Sequence, residues 1–171
     1  MSETEGLTKI RIDLPNHWAT KGEAMWARLV GENLYELRNV PFYAYDLNFL
    51  DVVEAVSERE DLRLDVQRVV HRSGHRTLRV FFSNVVAASE RPALLETLKK
   101  LGATFERATE TLFAIDIKAD GNYEAVCGFL YEWEKQGLLS YETCEARVPG
   151  SFDDPPQEHN GAGQPAAGAD R

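Results

Sequence analysis

The chain has 171 residues, of which 43% are hydrophobic and 27% are charged. This length allows one ordinary domain or two very small ones, and the composition is that of a globular protein. There are 28 acidic residues against 19 lysines and arginines, so the formal net charge is −9. This charge disfavours a nucleic-acid coat or a basic membrane-surface protein, because phosphate binding needs clustered positive charge.

The cysteines and the hydropathy pattern indicate a cytoplasmic protein with reduced thiols. Cys127 and Cys144 are too few for a disulfide scaffold and form no Cys-x-x-Cys pair. The polar N-terminal residues lack the features of a secretory signal. Apolar runs such as Val85–Ala88 are far shorter than the ~20 residues that span a bilayer, so we expect no membrane partner.

Short segments of alternating apolar and polar residues dominate the first half. In residues 7–14 every second residue from Ile10 to Leu14 is apolar, which is typical of a half-buried strand. Residues 45–58 carry both helical and strand signals, and we predict a turn followed by a strand. The predicted strands are residues 7–14, 23–30, 34–40, 52–57 and 62–70. Five short strands joined by turns predict a small SH3-like β-barrel over residues 7–72.

The second half has the order strand, helix, strand, strand, helix, strand. Pro92 is well placed at a helix start, a leucine stripe follows, and Gly102 ends the helix. The predicted strands are residues 77–85, 103–109, 112–118 and 138–146, and the second helix is residues 123–136. This order predicts a ferredoxin-like βαββαβ half over residues 76–147, and hence an α+β protein.

Both ends of the chain differ in composition from the rest. Residues 1–6 form a short polar leader that we expect to be disordered. Residues 149–171 hold four of the seven prolines, and Phe152 is their only large apolar residue. Such a segment buries too little surface to offset its chain entropy, so we predict a disordered tail.

Three short motifs carry a family resemblance. They are N-x-P-F-Y at Asn39–Tyr43, D-V-V at Asp51–Val53, and S-G-H-R-T-L-R at Ser73–Arg79. In this order and at these spacings, the chain resembles the bacterial "domain of unknown function 4265" family over about residues 8–146. The resemblance implies no established activity and no catalytic residues.

The most unusual local feature is a stretch without acidic residues between Val66 and Ser89. It lies at the joint between the two predicted halves. Its basic side chains are Arg68, His71, Arg72, His75, Arg76 and Arg79. Arginine forks beside the Ser73–Gly74 turn suit a phosphate, a carboxylate or an acidic partner. Alternatively, these arginines pair with surrounding carboxylates and hold the two halves together.

The sequence predicts no catalytic residue, no metal site and no cofactor. His71 and His75 are four residues apart, but their strand and turn context gives poor ligand geometry and no third ligand is evident. Neither cysteine has a neighbouring base. Phe81, Phe105 and Phe113 are candidates for an RNA-binding sheet face, but the usual signature is missing and adjacent acids disfavour nucleic acid.

These observations favour a non-enzymatic binding or regulatory protein, with a protein as its partner. Its surface would lie at the joint, where Tyr43 and Tyr45 are candidate aromatic contacts. One version is an immunity-type inhibitor that blocks a basic partner through the acids of 46–65. The alternative is a small anionic-ligand sensor or an enzyme with an arginine-lined pocket between the halves. A dimer through an exposed sheet edge stays open.

Overall fold

The structure is a computed structural model that describes residues 5–58, 60 and 62–157. Among these residues, no helix is long and apolar enough to cross a membrane. The strands are β1 (Leu7–Asp13), β2 (Gly22–Gly31), β3 (Leu34–Leu37), β4 (Val52–Val56), β5 (Asp65–His71), β6 (Arg76–Phe82), β7 (Ala103–Arg107), β8 (Leu112–Ile117) and β9 (Leu139–Thr143). The helices are α1 (Arg91–Glu96), a 3₁₀ turn (Lys99–Leu101) and α2 (Tyr123–Lys135).

Strands β1 to β5 form a closed barrel. Consecutive strands pair antiparallel, and β1 meets β5 in parallel at the Arg11 and Asp65 pair, which closes the barrel. The alternation predicted from the sequence determines which side chains point inward. The barrel core contains Ile10, Ile12, Leu14, Met25, Ala27, Tyr35, Leu37, Ala44, Leu47, Val53 and Ala55. The strand predicted at 52–57 is confirmed as β4.

Strands β6 to β9 form an antiparallel sheet in the order β7-β8-β6-β9. Alternate residues of these strands share one core with the helices. Its members include Leu78, Val80, Phe82, Leu95, Leu98, Phe113, Ile115, Val126 and Leu130. Because side chains of both helices pack into this core, both helices cover the same face. The α+β class predicted from the sequence is confirmed.

Residues 38–51, between β3 and β4, cover the opposite face of this sheet, and we call them the covering segment. Its residues Ala44, Tyr45 and Leu47 are buried. The Thr77 hydroxyl, which lies on that face of β6, donates to Asn48 Oδ1 at 3.0 Å. The barrel therefore rests on the sheet through one connecting segment, and the sheet is covered by helices on one side and by this segment on the other.

The first predicted helix is shorter than its leucine stripe suggests. α1 ends at Glu96, where the Thr97 hydroxyl donates to the Leu94 carbonyl at 2.6 Å. The following turn is a 3₁₀ helix, and it stops at Gly102, whose φ of 84° is left-handed. The stripe still packs on the core, because a 3₁₀ turn keeps the leucines on the same side.

The expectation of a disordered tail that begins at residue 149 is wrong for residues 149–157. The Phe152 side chain packs on the barrel core, and its carbonyl accepts the Tyr45 N–H at 2.9 Å. Asp153 is buried and accepts the Asn16 N–H at 2.7 Å. One aromatic ring and these paired polar groups are enough to fix a segment rich in proline and glycine. Residues 1–4 and 158–171 lie outside the described part of the chain.

We expect Phe152→Ala to destabilise the protein by about 2 kcal/mol, less than the ~3–5 kcal/mol of a fully buried phenylalanine. The physical reason is the loss of ring contacts with the barrel core. Urea unfolding measures the change. Leu29→Ala, at a side chain that is 58% exposed on β2, is the matched control and leaves the midpoint almost unchanged. Equal effects of the two substitutions would show that the 149–157 segment does not contribute to stability.

Candidate functional site

A buried glutamate holds the segment that lies between the barrel and the sheet. Glu23 on β2 accepts the N–H groups of Phe42, Tyr43 and Ala44 at 2.6, 3.0 and 2.8 Å. Burial raises the pKa of this carboxyl, and the three N–H donors oppose the shift. Three hydrogen bonds to one carboxylate fix the backbone of the segment where it enters the joint.

Arg79 on β6 ties this segment to the sheet. Its side chain is only 2% exposed. Nε donates to Glu142 Oε1 at 2.8 Å, and Nη1 donates to the Ala44 carbonyl at 2.9 Å. The guanidinium carbon lies 4.6 Å from the centre of the Tyr45 ring, and that of Arg147 lies 4.8 Å from the same centre. Arg79 thus connects β6, β9 and the covering segment.

The six basic residues predicted as a site lie at or near the joint, and five of them face different carboxylates. The pairs are Arg68 with Glu54 at 2.7 Å, Arg72 with Asp46 at 2.9 Å, His75 with Asp116 at 2.8 Å, Arg76 with Glu145 at 2.9 Å, and Arg79 with Glu142. His71 is exposed at the end of β5. The pairs of Arg68 and Arg72 lie within residues 7–72, and those of His75, Arg76 and Arg79 lie within residues 75–147. These ion pairs neutralise the cations but do not cross from one half to the other.

The two predicted aromatic contacts differ in accessibility. Tyr45 is 2% exposed, so the prediction that it makes a surface contact is wrong. Its hydroxyl donates to Glu142 Oε2 at 3.1 Å, and burial together with that carboxylate raises the pKa of Tyr45 to about 12. Tyr43 is half-buried and packs edge-on against the His17 ring. The tyrosines therefore serve mainly as packing for the joint.

A cleft of about 360 Å³ opens beside this network, where the barrel leaves the sheet uncovered. Trp18, which is 72% exposed, and Phe81, which is 49% exposed, are the most exposed of its aromatic residues. The other lining residues are Arg79, Val80, Leu112, Ser140, Tyr141 and Glu142. Glu142 is 36% exposed, so a carboxylate borders an otherwise largely apolar cleft.

Buried neighbours hold Trp18 in place. His17 is buried, stacks on Trp18 with ring centres 5.8 Å apart, and accepts the Ala19 N–H at its Nδ1 at 3.1 Å. Its Nε2 lies 4.0 Å from Asp154. The exposed indole is therefore mounted on an ordered loop, although most of its surface faces solvent.

A second cleft continues the first along the ends of β6 and β9. The two clefts share Phe81 and Ser140. The second is lined in addition by Phe82, Ser83, Asn84, Thr111 and Leu139. We call the two together the joint groove, which extends from Trp18 to Asn84.

Sequence reasoning identified only part of the joint groove. Phe81 was a candidate for the open sheet face, and it does lie there. Phe105 and Phe113 were wrong candidates, because both pack on the helix side of the sheet. The sequence of β6 predicts the position of Phe81. Leu78, Val80 and Phe82 alternate toward the core, which leaves Phe81 on the other face of the sheet. Trp18 lies in a loop and carries no periodic signal.

Two further carboxyl groups at the joint, those of Asp116 and Glu106, are poorly solvated. Burial raises the pKa of Asp116, against the opposing effect of His75. Burial also raises the pKa of Glu106, which accepts the Val40 N–H, and the nearby Asp116 adds to the shift. Among residues 5–58, 60 and 62–157, no group of three or more His, Cys, Asp or Glu is arranged to hold a metal ion.

We expect Arg79→Met to cost about 2–4 kcal/mol, because it leaves the buried Ala44 carbonyl without its donor and removes a partner of Glu142. Arg76→Met is the matched control on the same strand. Its pair with Glu145 is largely exposed, so the loss stays near about 1 kcal/mol. Urea unfolding compares them, and hydrogen exchange at residues 42–45 shows whether the segment is released. Equal losses of stability in the two variants would show that Arg79 does not connect this segment to the sheet.

We expect Glu106→Gln to raise stability at neutral pH. A carboxyl with a raised pKa binds its proton more tightly in the folded state, so its contribution to stability is lost as pH rises through the folded pKa. The amide keeps an acceptor for Val40 and cannot ionise. Unfolding midpoints at about pH 7 and about pH 5, near the carboxyl titration range, should differ less than in the parent. Glu32→Gln, at an exposed turn, is the control, and an identical response in both would contradict this assignment.

Comparison with known proteins shows the family of the chain and a solved structure with a similar fold. No curated protein matches the chain. A crystal structure of a hypothetical protein from Neisseria gonorrhoeae is similar, with a TM-score of 0.67 and 17% identity. The match covers 81% of this chain and 95% of that one, and at this identity it shows the fold alone. The model of the domain of unknown function DUF4265 matches residues 23–141, which run from β2 to β9, so the chain belongs to the DUF4265 family.

Proposed function

We propose that this protein is a non-enzymatic binding protein whose joint groove takes an extended segment of a protein partner. The observation that carries the proposal is the pair Trp18 and Phe81, two large and largely exposed aromatic side chains at one cleft. Exposed aromatic surface is costly in water, and Trp and Tyr anchors dominate the energetics of protein interfaces. Binding a partner would remove this surface from solvent.

The shape of the groove supports a chain segment rather than a compact ligand. Two clefts meet at Phe81 and Ser140 and run along the ends of β6 and β9. A small molecule is usually enclosed on most sides, whereas this groove is open along its length. An apolar side chain of the partner would lie between Trp18 and Phe81, and the neighbouring residues would occupy the second cleft.

Charge supports a cationic segment. The chain has a net charge of −9, and the partly exposed Glu142 carboxylate borders the groove, where it is paired with Arg79 and Arg147. The support therefore comes from the overall acidic charge. Arg79 is already bound by Glu142 and the Ala44 carbonyl, so it offers little to an anion. This favours the protein-binding proposal over a sensor or enzyme with an arginine-lined pocket.

The immunity-type version is a special case of this proposal, with a basic toxin as the partner. The acidic residues between positions 46 and 65 are less suited to bind a basic toxin than the joint groove is. Asp46 and Asp51 face Arg72, and Glu54 faces Arg68. Carboxylates that are already paired would have to exchange partners before they could bind a basic surface, whereas the groove offers the exposed aromatic side chains of Trp18 and Phe81.

We also propose a more specific fold for each half of the chain. We assign residues 7–72 to an SH3-like barrel and residues 76–147 to a ferredoxin-like half. The sheet order β7-β8-β6-β9, with the helices on one face, supports the second assignment. A cytoplasmic location is supported by Cys127 and Cys144, which are free thiols.

Selection from a library of random peptides tests the proposal. We expect the wild-type protein to enrich peptides with an apolar or aromatic anchor flanked by lysine or arginine. The double variant Trp18→Ser, Phe81→Ser should bind those peptides at least about tenfold more weakly, because central aromatic anchors are worth about 2 kcal/mol or more. Fluorescence anisotropy with labelled peptides measures the dissociation constants.

Phe129→Ser provides the control for loss of an exposed aromatic. Phe129 is 42% exposed on α2, on the helix side of the sheet. Peptides that bind the groove should keep their affinity for this variant. Enriched peptides that bind all variants equally, or no enrichment at all, would overturn the proposal. A thermal shift with phosphates or nucleotides that Arg76→Ala abolishes would support the anionic-ligand alternative instead.

A further inference from the structure

A cluster of cations surrounds an exposed tryptophan on the outer face of the barrel. The register of β1, β2 and β3 brings it together. Lys9 pairs across the strands with Trp26, and the Arg38 N–H donates to the Trp26 carbonyl on the other side. Arg28 is two residues along the same strand, and Arg11 is two residues along β1 from Lys9. We call these five residues the barrel face.

The barrel face is positively charged, although the chain as a whole is acidic. Lys9 lies over the Trp26 ring with its Nζ 5.0 Å from the ring centre. Arg38 pairs with Glu36 at 2.9 Å, and Arg11 lies 3.9 Å from Asp13. In the part of the chain that the structure describes, Lys9 and Arg28 form no ion pair, although Arg28 lies opposite Glu36 in the register of β2 and β3. Lys9 thus lies directly over the indole, whereas the Arg11 guanidinium is directed toward Gly22 and Asp13.

The backbone of Trp26 is fixed within the sheet, and its ring is partly exposed. Its backbone N–H is bound by Asn39 Oδ1 at 2.7 Å, and the ring is 40% exposed between neighbouring strands. The residues on either side of it in the chain, Met25 and Ala27, point into the barrel core. An exposed aromatic ring on a sheet with cations beside it is an arrangement with which proteins bind single strands, since the ring stacks on a base and the cations neutralise its phosphates.

We propose that the barrel face binds single-stranded nucleic acid, with one base taking the place of the Lys9 side chain over the Trp26 ring and its flanking phosphates at Lys9 and Arg28. A single strand is favoured over a duplex, because a base inside a duplex is already stacked on its neighbours and is not free to stack on Trp26. The free charge on Lys9 and Arg28 complements phosphate. This site shares no residue with the joint groove, so it is independent of the proposed protein-binding function.

Anisotropy of a short labelled oligothymidylate tests the site at about 50 mM salt, where phosphate contacts are strong. We expect binding that falls steeply with added salt and quenches tryptophan fluorescence. Trp26→Ala should weaken it at least about fivefold, since stacking one base contributes this much or more. The double variant Lys9→Gln, Arg28→Gln should lose affinity and reduce the salt slope, and its unchanged unfolding midpoint would show that it folds.

Matched controls separate this site from a general charge effect. Trp18→Ala removes an exposed indole of the joint groove, and Arg68→Gln together with Arg76→Gln removes two exposed arginines elsewhere. Both should leave oligonucleotide affinity unchanged. Equal losses in the control and barrel-face variants, or full binding by Trp26→Ala with complete competition by polyphosphate, would overturn the proposal. Binding to vesicles that contain anionic phospholipid, without binding to the oligonucleotide, would overturn it in favour of a membrane surface.

Discussion

The Arg79 guanidinium sits where the barrel meets the sheet, and the arrangement of the two halves depends on satisfying its charge. An unpaired charge in a place that is 2% exposed would cost several kcal/mol, so it needs partners from each layer around it. Glu142 on β9 provides one, and the Ala44 carbonyl of the covering segment provides another. Glu23 in turn holds the segment by its N–H groups. The barrel is therefore fixed to the sheet by directional polar contacts, and not only by apolar packing.

This constraint also determines where a binding surface can lie. The covering segment reaches only part of the sheet face, so the end of β6 beyond Arg79 is left open and Phe81 remains half exposed. The loop after β1 borders the same space, because His17 and the 151–154 region hold it there. The joint groove is thus a consequence of how two halves meet when their contact is shorter than the sheet.

Much of the fold could be predicted from periodicity, because burial on one face requires apolar residues at every second position of a strand. Each strand of the structure overlaps a predicted strand, although β8 is a nearly continuous apolar run that is buried on both faces. The site could not be predicted in the same way. The acid-free stretch between Val66 and Ser89 suggested a free anion site, yet Asp46, Glu54, Asp116, Glu142 and Glu145 reach those cations from other parts of the chain. A linear window contains no information about cross-strand partners.

The same reasoning applies to the barrel face. A net charge of −9 disfavoured nucleic acid, but a summed charge does not determine the potential at each surface. Charges interact mainly within a Debye length of about 8–10 Å in ordinary salt. On adjacent antiparallel strands, Lys9 and Trp26 are neighbours although 17 positions separate them in the chain. Cations that are scattered in the sequence thus contribute to one local potential, which Glu36 and Asp13 reduce because they pair with Arg38 and Arg11. A protein can for this reason be acidic overall and still present one face that suits phosphate.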